Sequence, residues 1–549
     1  MTGRDSAVFL CIRELCGQSF RRKLTESCHQ VKCRFERGIA VTRMAGFVVF
    51  ALMLSTLGTA AEPKGSSPEQ RTARHFDAVR PQPGLLLAFL RDMPKGGDLH
   101  IHLAGAIYAE RLIDFAAQDG FCVDRTTSVL IAPPCDDACD RFASKPSIHC
   151  AYHDQVLYDS IVDAWSMRNW AGEEPGHDHF FATFDKFLPA MTNHLGDSIA
   201  ETAERAASDH LQYLELMHTA DGNLAPELGA KVGWDDDFSK LREKLLAAGL
   251  NDVVAATRQQ LDHDEAKMRQ ILRCGSAQAS PGCGVTIRYL YQVLRGLPKE
   301  QVYAQILLGF ELAQADPRFV GLNLVMPEDW YVPMHDFDLH MKMLDYLHGI
   351  YPRVHISLHA GELAMGLVPP EGLSFHVRES IEKGHAERIG HGVSVMNEND
   401  ATGLLQEMAR RNVLVEICLT SNDVILGVRG EEHPLPVYLR YSVPVALATD
   451  DEGVSRSDMT HEYVRAAETY HLRYADLKRM ARQSLEHSFL AGASLWSDPQ
   501  AYHSVTACAG DRPESANVST GCKKFLDASD RARVQWKLEH EFADFEKKF

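Results

Sequence analysis

The chain lacks an excess of basic residues. Its 549 residues include 57 Lys or Arg against 75 Asp or Glu, which gives a formal net charge of −18 at pH 7. Proteins that bind the backbone of nucleic acids present a basic surface to the phosphates. The acidic balance therefore argues against a nucleic-acid partner, while a neutral nucleobase or nucleoside stays open as a ligand.

Long apolar runs, internal repeats and low-complexity segments are also lacking. The most apolar stretch, residues 47–57, is shorter than the roughly 20 residues that cross a bilayer. Hydrophobic residues make up 45% and charged residues 24% of the chain, as in ordinary globular domains. These features exclude disordered, collagen-like and multi-span membrane proteins. The length suits two domains or one large α/β barrel with additions.

An export signal lies near the amino terminus. Residues 46–61 form an uncharged, mostly apolar run that follows Arg43 and Met44 and ends in small residues. This pattern is typical of a secretory signal peptide cleaved near Ala61. A single membrane anchor is the alternative, which the shortness of the run disfavours. We expect residues 1–61 to be a presequence with Met44 as the true start, and the mature protein to be secreted or periplasmic without stable membrane association.

Nine of the 13 cysteines follow this presequence. Eight of them lie in loop-like stretches as three even-numbered clusters, which in an exported chain indicates disulfides. We expect the pairs Cys274–Cys283 and Cys508–Cys522, and a buried free thiol at Cys418. The third cluster comprises Cys122, Cys135, Cys139 and Cys150. These four cysteines can form disulfides in three different pairings, or they can bind a zinc ion together as a zinc knot, which an oxidising compartment disfavours.

Eight short runs rich in β-branched and aliphatic residues alternate with helix-compatible stretches. The runs are residues 97–103, 211–217, 285–293, 319–326, 353–359, 387–392, 413–419 and 443–449. This alternation predicts a parallel (β/α)8 or TIM barrel over residues 62–495. Two additions are expected: a cysteine-bearing insertion, residues 104–210, and a C-terminal extension, residues 496–549, that ends in an amphipathic helix over 531–548.

Polar motifs follow four of these runs, at the strand ends where barrel enzymes place their chemistry. His100 and His102 are two residues apart on an extended segment, so their side chains share one face and can hold one metal ion. His359 closes the fifth run, and Glu362 follows on the turn. His391 lies between two glycines at the end of the sixth run.

The fourth motif, at the end of the eighth run, carries two adjacent acids that point to different sides. Asp450 can therefore bind a metal ion while Asp451 faces a ligand. Each of the four motifs is a weak signal by itself. Their order on the first, fifth, sixth and eighth strands of one barrel predicts a metal centre with a carboxylate placed for proton transfer.

Together with Glu416-Ile417-Cys418 and the segment from Met93 to Leu103, these motifs resemble the adenosine deaminase branch of the metal-dependent amidohydrolases. The opening motif, export signal, cysteine-bearing insertion and tail most resemble the secreted adenosine deaminase-related growth factor subgroup. The resemblance covers residues 85–549. It implies hydrolytic deamination of adenosine or 2′-deoxyadenosine to the inosine product and ammonia, in purine salvage or nucleoside scavenging.

The resemblance also implies roles for individual residues. Glu362 is expected to transfer protons, His391 to orient and polarise the attacking water, and Asp451 to contact the purine ring near N7. Glu416 is expected to hold His391 from behind. One Zn²⁺ ion per chain is expected on His100, His102, His359 and Asp450.

The sequence departs from the family at the expected substrate site. Ala104 replaces an acidic or polar residue after His-x-His-Leu, and Met326 stands where the family has a glycine under the purine. We expect Met326, Glu328 and Trp330 to contact the substrate, with Trp330 and Tyr331 either stacking on the base or capping the barrel. Four phenylalanines recur at helical spacing and form an aromatic stripe that belongs either to the core or to the wall of the substrate pocket. They are Phe180, Phe181, Phe184 and Phe187.

Rival functions make different demands on the sequence. A dihydroorotase-like binuclear enzyme needs a bridging lysine near the fourth strand, and residues 319–341 contain no lysine. An AMP deaminase needs a cationic phosphate pocket, for which the sequence shows no motif. Adenine or a modified nucleoside as substrate, and a non-catalytic secreted nucleoside-binding protein, are further alternatives. The oligomeric state is open, with a homodimer as one alternative.

Overall fold

A computed structural model describes residues 65–549, except 137, 138, 141, 171, 173 and 516. The presequence and signal peptide expected for residues 1–61 lie outside the described residues. Within the described part of the chain, no helix is long and apolar enough to span a bilayer.

Eight parallel strands form the central sheet, and each pairs with its neighbours in chain order. The strands are β1 Gly96–His102, β2 Leu211–His218, β3 Thr286–Leu294, β4 Phe319–Val325, β5 His355–Ala360, β6 Arg388–His391, β7 Leu414–Ile417 and β8 Val445–Leu447. Just after β8, the backbone amide of Asp450 donates to the carbonyl of His100 (2.9 Å), and the Asp450 carbonyl accepts from His102 (3.2 Å). The last strand thus meets the first, which confirms the predicted (β/α)8 barrel.

Helices cover the outside of this barrel. Before β3 they are Pro68–Val79, Pro83–Asp92, Leu103–Ala106, Ala109–Gln118, Gln155–Ala164, Gly176–Phe187, Leu195–Ser208, Leu224–Val232, Phe238–Ala247 and Leu250–Ile271. Between β3 and β8 they are Lys299–Ala315, Tyr331–His335, Phe337–Ile350, His376–Glu382, Ala401–Arg411, Leu419–Leu426 and Leu435–Arg440. After β8 they are Glu452–Ser455, Met459–Thr469, Tyr474–Glu486, Thr520–Asp527 and Asp530–Glu546. Short 3-10 helices are Ile148–Tyr152, Leu188–Met191, Pro281–Gly284, Pro370–Leu373, Val393–Asn397 and Gly430–Glu432.

The helix Phe337–Ile350 illustrates how sequence spacing produces the outer layer. Met341, Leu344 and Leu347 recur at intervals of three and are fully buried, because residues three or four apart share one helix face. The helix ends at Tyr351, directly before Pro352, since a proline disfavours helical backbone in the residue before it. Its inner face packs on the barrel.

The connection from β1 to β2 is much longer than the others. It contains two antiparallel two-residue strands, Cys122–Val123 and Leu130–Ile131, and the helix Gly176–Phe187. Disulfides join Cys122 to Cys135 and Cys139 to Cys150. The four cysteines that the sequence left open therefore form two disulfides, and the zinc knot is ruled out because no thiolate remains to bind a metal ion.

Cysteines elsewhere pair as the sequence predicts. Cys274–Cys283 and Cys508–Cys522 form disulfides, and Cys418 is a buried free thiol. After the barrel, the second of these disulfides packs with Leu495, Trp496 and Leu526 in a small apolar cluster of its own. The expected tail helix is present as Asp530–Glu546, so it begins one residue and ends two residues before the predicted bounds.

Candidate metal centre and active-site cavity

Three histidine side chains converge at the carboxyl ends of β1 and β5. The Nε2 atom of His359 lies 3.0 Å from Nε2 of His100 and 3.2 Å from Nε2 of His102. All three rings are buried. Ring nitrogens at this spacing either share a proton or point unshared electron pairs at a common cation.

The outer nitrogens of two of these rings, His100 and His359, show that the second description holds. His100 Nδ1 lies 2.7 Å from a Glu416 carboxylate oxygen, which only accepts hydrogen bonds. His359 Nδ1 lies 2.8 Å from Asn323 Oδ1, which also accepts the His359 backbone N–H. Since a backbone N–H only donates, that amide atom is the oxygen and Nδ1 is its second donor. Both Nδ1 atoms carry protons, so the Nε2 electron pairs face the cluster.

Asp450 supplies the fourth donor. Its Oδ1 lies 3.6 Å from His100 Nε2 and 3.3 Å from His102 Nε2, while its Oδ2 accepts a 2.6 Å hydrogen bond from the Ser421 hydroxyl. Donors that bind zinc tetrahedrally at 2.0–2.2 Å lie roughly 3.3–3.6 Å apart. The measured separations of 3.0–3.6 Å fit this geometry, so the four residues fit a single metal ion.

His391 also lies beside the cluster, but its ring is oriented as a donor. The Leu435 backbone N–H donates to Nδ1 of His433 (3.1 Å), and Nε2 of His433 then donates to Oδ1 of Asn422 (3.0 Å). The Asn422 amide nitrogen is consequently the donor to Nδ1 of His391 (3.0 Å). His391 therefore carries its proton on Nε2. Although it lies close to His100, His359 and Asp450, this nitrogen is a hydrogen-bond donor directed toward Glu362 and Asp450 and not a metal ligand.

Glu362 lies next to this donor. One of its carboxylate oxygens is 3.7 Å from His391 Nε2. Burial, and then the nearby carboxylates of Asp450 and Glu328, raise the pKa of Glu362 well above its usual range. Burial lowers the pKa of His391 to about 3, so its imidazole is neutral at pH 7. Glu362 thus holds a proton where it can be passed to a bound molecule.

Asp451 faces the same space from the end of β8. Burial raises the pKa of this carboxyl above its ordinary value. Among the described residues its Oδ1 has no hydrogen-bond partner. A side chain added at Gly105 would come within 1.6 Å of that oxygen, so only glycine leaves room for the carboxyl. Asp451 is therefore a buried carboxyl group that lines the cavity and has one oxygen without a hydrogen-bond partner among the described residues.

A cavity of about 620 Å³ opens in front of these groups. One wall is aromatic, formed by Phe180, Phe181 and Phe184 of the helix Gly176–Phe187 and by Trp330. Phe187, the fourth member of the stripe, instead packs in the core 6.2 Å from the Trp165 ring. Three of the four metal-binding residues, His102, His359 and Asp450, form the floor together with Glu362 and Asp451.

The residues expected to contact substrate are divided by the structure. Met326, Trp330 and Ala104 line the cavity, whereas Tyr331 is 77% exposed outside it. The expectation for Glu328 is wrong. Its carboxylate is buried, does not line the cavity, and accepts from the backbone amides of Gly361 and Glu362.

The expected role of Glu416 also needs correction. Its carboxylate bonds to His100, to the Ser357 hydroxyl and to the buried guanidinium of Arg388, whereas Nδ1 of His391 bonds to Asn422. Glu416 therefore orients the metal ligand His100, whereas Asn422 holds His391. Arg388 in turn lowers the pKa of Glu416 to about 2, which keeps this acceptor charged.

Several site residues were missed by the sequence analysis. They are Gln292, whose Oε1 lies 2.9 Å from His102 Nδ1, and also Asn323, Ser421, Asn422 and His177. Asn323 is the single polar residue of the apolar strand β4, and Gln292 interrupts the mostly apolar second half of β3. A buried polar residue needs a partner, so this interruption of the apolar pattern was the available signal.

Three residues at the strand ends that carry the site have left-handed backbone, as do other residues elsewhere in the chain. Met326, His391 and Asp450 have φ values of 82°, 67° and 59°, in the left-handed region that side chains other than glycine rarely adopt. Met326, which stands where the family was expected to have a glycine, therefore keeps a backbone conformation that glycine adopts freely.

Comparison with known proteins now defines the class. The adenosine deaminase family model matches residues 169–494, more than half of the chain, and the chain belongs to the adenosine deaminase family. Adenosine deaminase of Clostridium perfringens is 35% identical over 135 residues, which cover 24% of this chain but only 37% of that enzyme. Adenosine deaminase of Vibrio vulnificus is 23% identical over 412 residues, 73% of this chain and 96% of that enzyme.

A solved structure shares the fold. It is an amidohydrolase from Burkholderia ambifaria with bound zinc, with 16% sequence identity and a TM-score of 0.50. The similarity covers 84% of this chain and 95% of that one. At this level of identity the comparison shows the barrel architecture alone.

Proposed function

We propose that the protein is an exported, zinc-dependent hydrolase that deaminates adenosine and 2′-deoxyadenosine to inosine or 2′-deoxyinosine and ammonia. One observation carries the proposal: the proton-bearing Glu362 lines one cavity together with the metal-binding residues His102, His359 and Asp450. The N–H donor His391 lies directly beside this group, with its Nε2 3.7 Å from a Glu362 carboxylate oxygen. Family membership supports it. Placement in the secreted growth factor subgroup stays a prediction.

Zinc would be held by His100, His102, His359 and Asp450. When bound, zinc lowers the pKa of a coordinated water toward about 7 and so supplies a nucleophile at neutral pH. Water adds to the carbon that bears the exocyclic amine. Glu362 gives its proton to the adjacent ring nitrogen, so that the ring accepts the electron pair, and then passes a proton from the attacking water to the departing amine.

Two further residues act on the substrate in this scheme. The Nε2–H of His391 donates toward the oxygen that adds to the ring and stabilises the negative charge developing on it. The purine N7 atom is a hydrogen-bond acceptor, so its partner must donate. Asp451, whose pKa is raised by burial, can hold the proton that this contact needs.

The cavity favours a neutral nucleoside over a nucleotide. Among the described residues that line it, none is lysine or arginine, and Asp178 and Asp185 add two carboxylates beyond those on its floor. A 5′-phosphate would meet these acids without a cationic partner, which costs several kcal/mol when the charge is desolvated. The aromatic wall suits a planar base and an uncharged sugar.

The decisive experiment incubates purified, zinc-loaded protein with adenosine, 2′-deoxyadenosine, adenine and AMP, and follows ammonia release. We expect kcat/KM for the two nucleosides to exceed that for AMP by at least about 100-fold, the factor that about 3 kcal/mol corresponds to. Faster turnover of AMP or adenine would replace the nucleoside assignment. No turnover of any purine would favour the non-catalytic nucleoside-binding protein.

Export is the second element of the proposal. The apolar run over residues 46–61 and the four disulfides support it, because disulfides persist in oxidising compartments. Mass spectrometry of protein recovered from the cell exterior or periplasm should show an amino terminus just after Ala61. An intact amino terminus on protein retained in the cytoplasm would contradict export.

A further inference from the structure

We propose that Glu328 is a positioning residue for Glu362: its buried carboxylate fixes the turn that presents Glu362 to the substrate, and Arg295 anchors the other side of that turn. This inference rests on the proposed function, since Glu362 is the proton carrier only if the protein is a deaminase. Glu328 itself would touch neither substrate nor metal.

The contacts of Glu328 are made to two consecutive peptide units. Its Oε1 accepts from the backbone N–H of Gly361 (3.1 Å) and its Oε2 from that of Glu362 (2.8 Å). The Glu328 side chain is 1% exposed. Carboxylates bound to amide N–H groups form charge-assisted hydrogen bonds that are stronger than neutral ones. The two bonds together fix both the position and the tilt of the turn.

The turn needs such support because its backbone is unusual. Gly361 has φ of +73°, and a side chain there would come within 2.9 Å of Ser394 and Val377. Glycine allows this conformation but does not enforce it, since it also populates many others. External hydrogen bonds are therefore required to hold Glu362 in one place.

Arg295, directly after β3, holds the residue that begins the turn. Its Nη1 donates to the carbonyl of His359 (3.1 Å), and its Nε and Nη2 donate to the carbonyl of Met326 (3.1 and 3.0 Å). The guanidinium is buried. The ends of β4 and β5 are thus tied together before the chain reaches Glu328 and Glu362, and residues 359–362 are held at both ends.

Placement of Glu362 matters because a general acid must lie within hydrogen-bond reach of the atom it protonates. A displacement of about 1 Å can cost about 100-fold in rate. Loss of the Glu328 contacts should therefore lower kcat while the aromatic wall continues to bind the base. This pattern separates positioning from substrate binding, which would change KM.

The test compares Glu328→Gln with Glu398→Gln. Glu398 is a matched control: it is also buried, 5% exposed, and its Oε1 accepts from a backbone N–H, that of Val377, without lining the cavity. We expect Glu328→Gln to lower kcat for adenosine about 10- to 100-fold, with KM within about 2-fold and zinc content unchanged. Glu398→Gln should retain the wild-type kcat and KM.

A double-mutant cycle identifies the residue through which Glu328 acts. If Glu328 acts through Glu362, then adding Glu328→Gln to Glu362→Gln should lower the residual kcat no further. Independent, multiplicative losses would overturn the inference. A raised KM with unchanged kcat would also overturn it, because it would show that Glu328 binds substrate.

Hydrogen exchange gives a readout that does not depend on activity. In Glu328→Gln the amides of Gly361 and Glu362 should exchange faster than in wild type, and in Glu398→Gln they should not. Unchanged exchange would overturn the inference even if the protein is a deaminase. If wild type turns over no purine, the proposed function fails while the exchange result still decides the contact.

A second variant covers the case in which Glu328→Gln does not fold. Glu328→Asp keeps the charge and shortens the side chain by one methylene, so its carboxylate no longer reaches both amides. It should show the same loss of kcat with little change of KM. Wild-type kcat in Glu328→Asp would contradict the inference.

Discussion

The histidines of the site differ in which ring nitrogen carries the proton, and their neighbours decide it. Glu416 and Asn323 accept from His100 and His359, so the inner nitrogens of these two rings are free to bind a metal ion. Asn422 donates to His391, which leaves its inner nitrogen protonated. Ligand and hydrogen-bond donor are thus distinguished by their partners and not by their position in the sequence.

Asn422→Asp tests this assignment with almost no change in shape. An aspartate accepts from His391 Nδ1, so the proton moves away from Nε2 and the donor to the cavity is lost. We expect kcat to fall about 100-fold or more with KM little changed. Nitrogen-15 NMR of the histidine rings should show the change of tautomer in the metal-free protein. An unchanged tautomer with normal kcat would contradict the assignment of the His391 tautomer from the hydrogen bonds that link His433, Asn422 and His391.

Glu362→Gln removes the proton carrier and keeps the metal ligands. Zinc content should stay at the wild-type level, because the ligands do not include Glu362. The kcat for adenosine should fall by about 10²- to 10⁴-fold, the usual contribution of general acid–base catalysis. Ammonia release and metal analysis on the same sample provide the measurement. Retained activity would show that another group carries the proton.

Met326 offers a test of stored backbone strain. Replacement by glycine or alanine removes the same cavity-lining side chain, but only glycine adopts φ of +82° freely. Left-handed backbone costs other residues about 1–2 kcal/mol, which exceeds the roughly 0.4–1 kcal/mol that glycine loses in the unfolded chain. Met326→Gly should therefore be about 0.5–1 kcal/mol more stable than Met326→Ala by urea denaturation. The reverse order would show that the strain is absent.

At the scale of the elements, all eight barrel strands lie within two residues of the predicted bounds. Parallel barrel strands are buried on both faces, so each reads as an apolar run. The polar motifs of the site could be predicted from the sequence for the same reason, because each lies at the end of such a run. Contacts between elements could not be predicted in this way. Glu328 was assigned to substrate because the sequence places it near a strand end but does not show that Gly361 and Glu362 meet its carboxylate.

The C-terminal extension carries its own stabilising link. Cys508–Cys522 closes a loop of 14 residues and lies in the separate cluster with Trp496 and Leu526. Replacing both cysteines by alanine should destabilise this segment by about 3 kcal/mol, since a loop of this length gains about that much from a disulfide. Hydrogen exchange should increase over residues 496–527, while kcat and the exchange of the barrel strands stay unchanged. Loss of activity would show that the extension supports the site.

At the scale of the whole molecule, the acidic balance of the chain and the acids of the cavity point to the same ligand. The formal charge is −18, and Glu362, Asp450 and Asp451 place three carboxyl groups on the cavity floor. The neutral nucleoside proposed as substrate would avoid repulsion from both. Buried acids also link the stability of the fold to pH, because burial changes the pKa of a carboxyl group between the unfolded and the folded state.

Glu398 provides the clearest case of this link. One of its oxygens accepts from Val377, while the other has no partner among the described residues, and burial raises its pKa from 4.5 to about 7. Between these values the folded state holds a proton that the unfolded chain has lost. Its contribution to stability is therefore complete below pH 4.5 and is lost as the pH rises through 7.

Glu398→Gln should remove this pH dependence. Because each unit of pKa shift corresponds to about 1.4 kcal/mol, the variant should gain up to about 3 kcal/mol relative to wild type between pH 5 and pH 8. Urea denaturation of both proteins at one-unit intervals of pH measures the difference directly, since all other titrating groups are common to the two. Parallel stability curves would show that Glu398 titrates normally in the folded protein, and that its buried oxygen has a partner such as water.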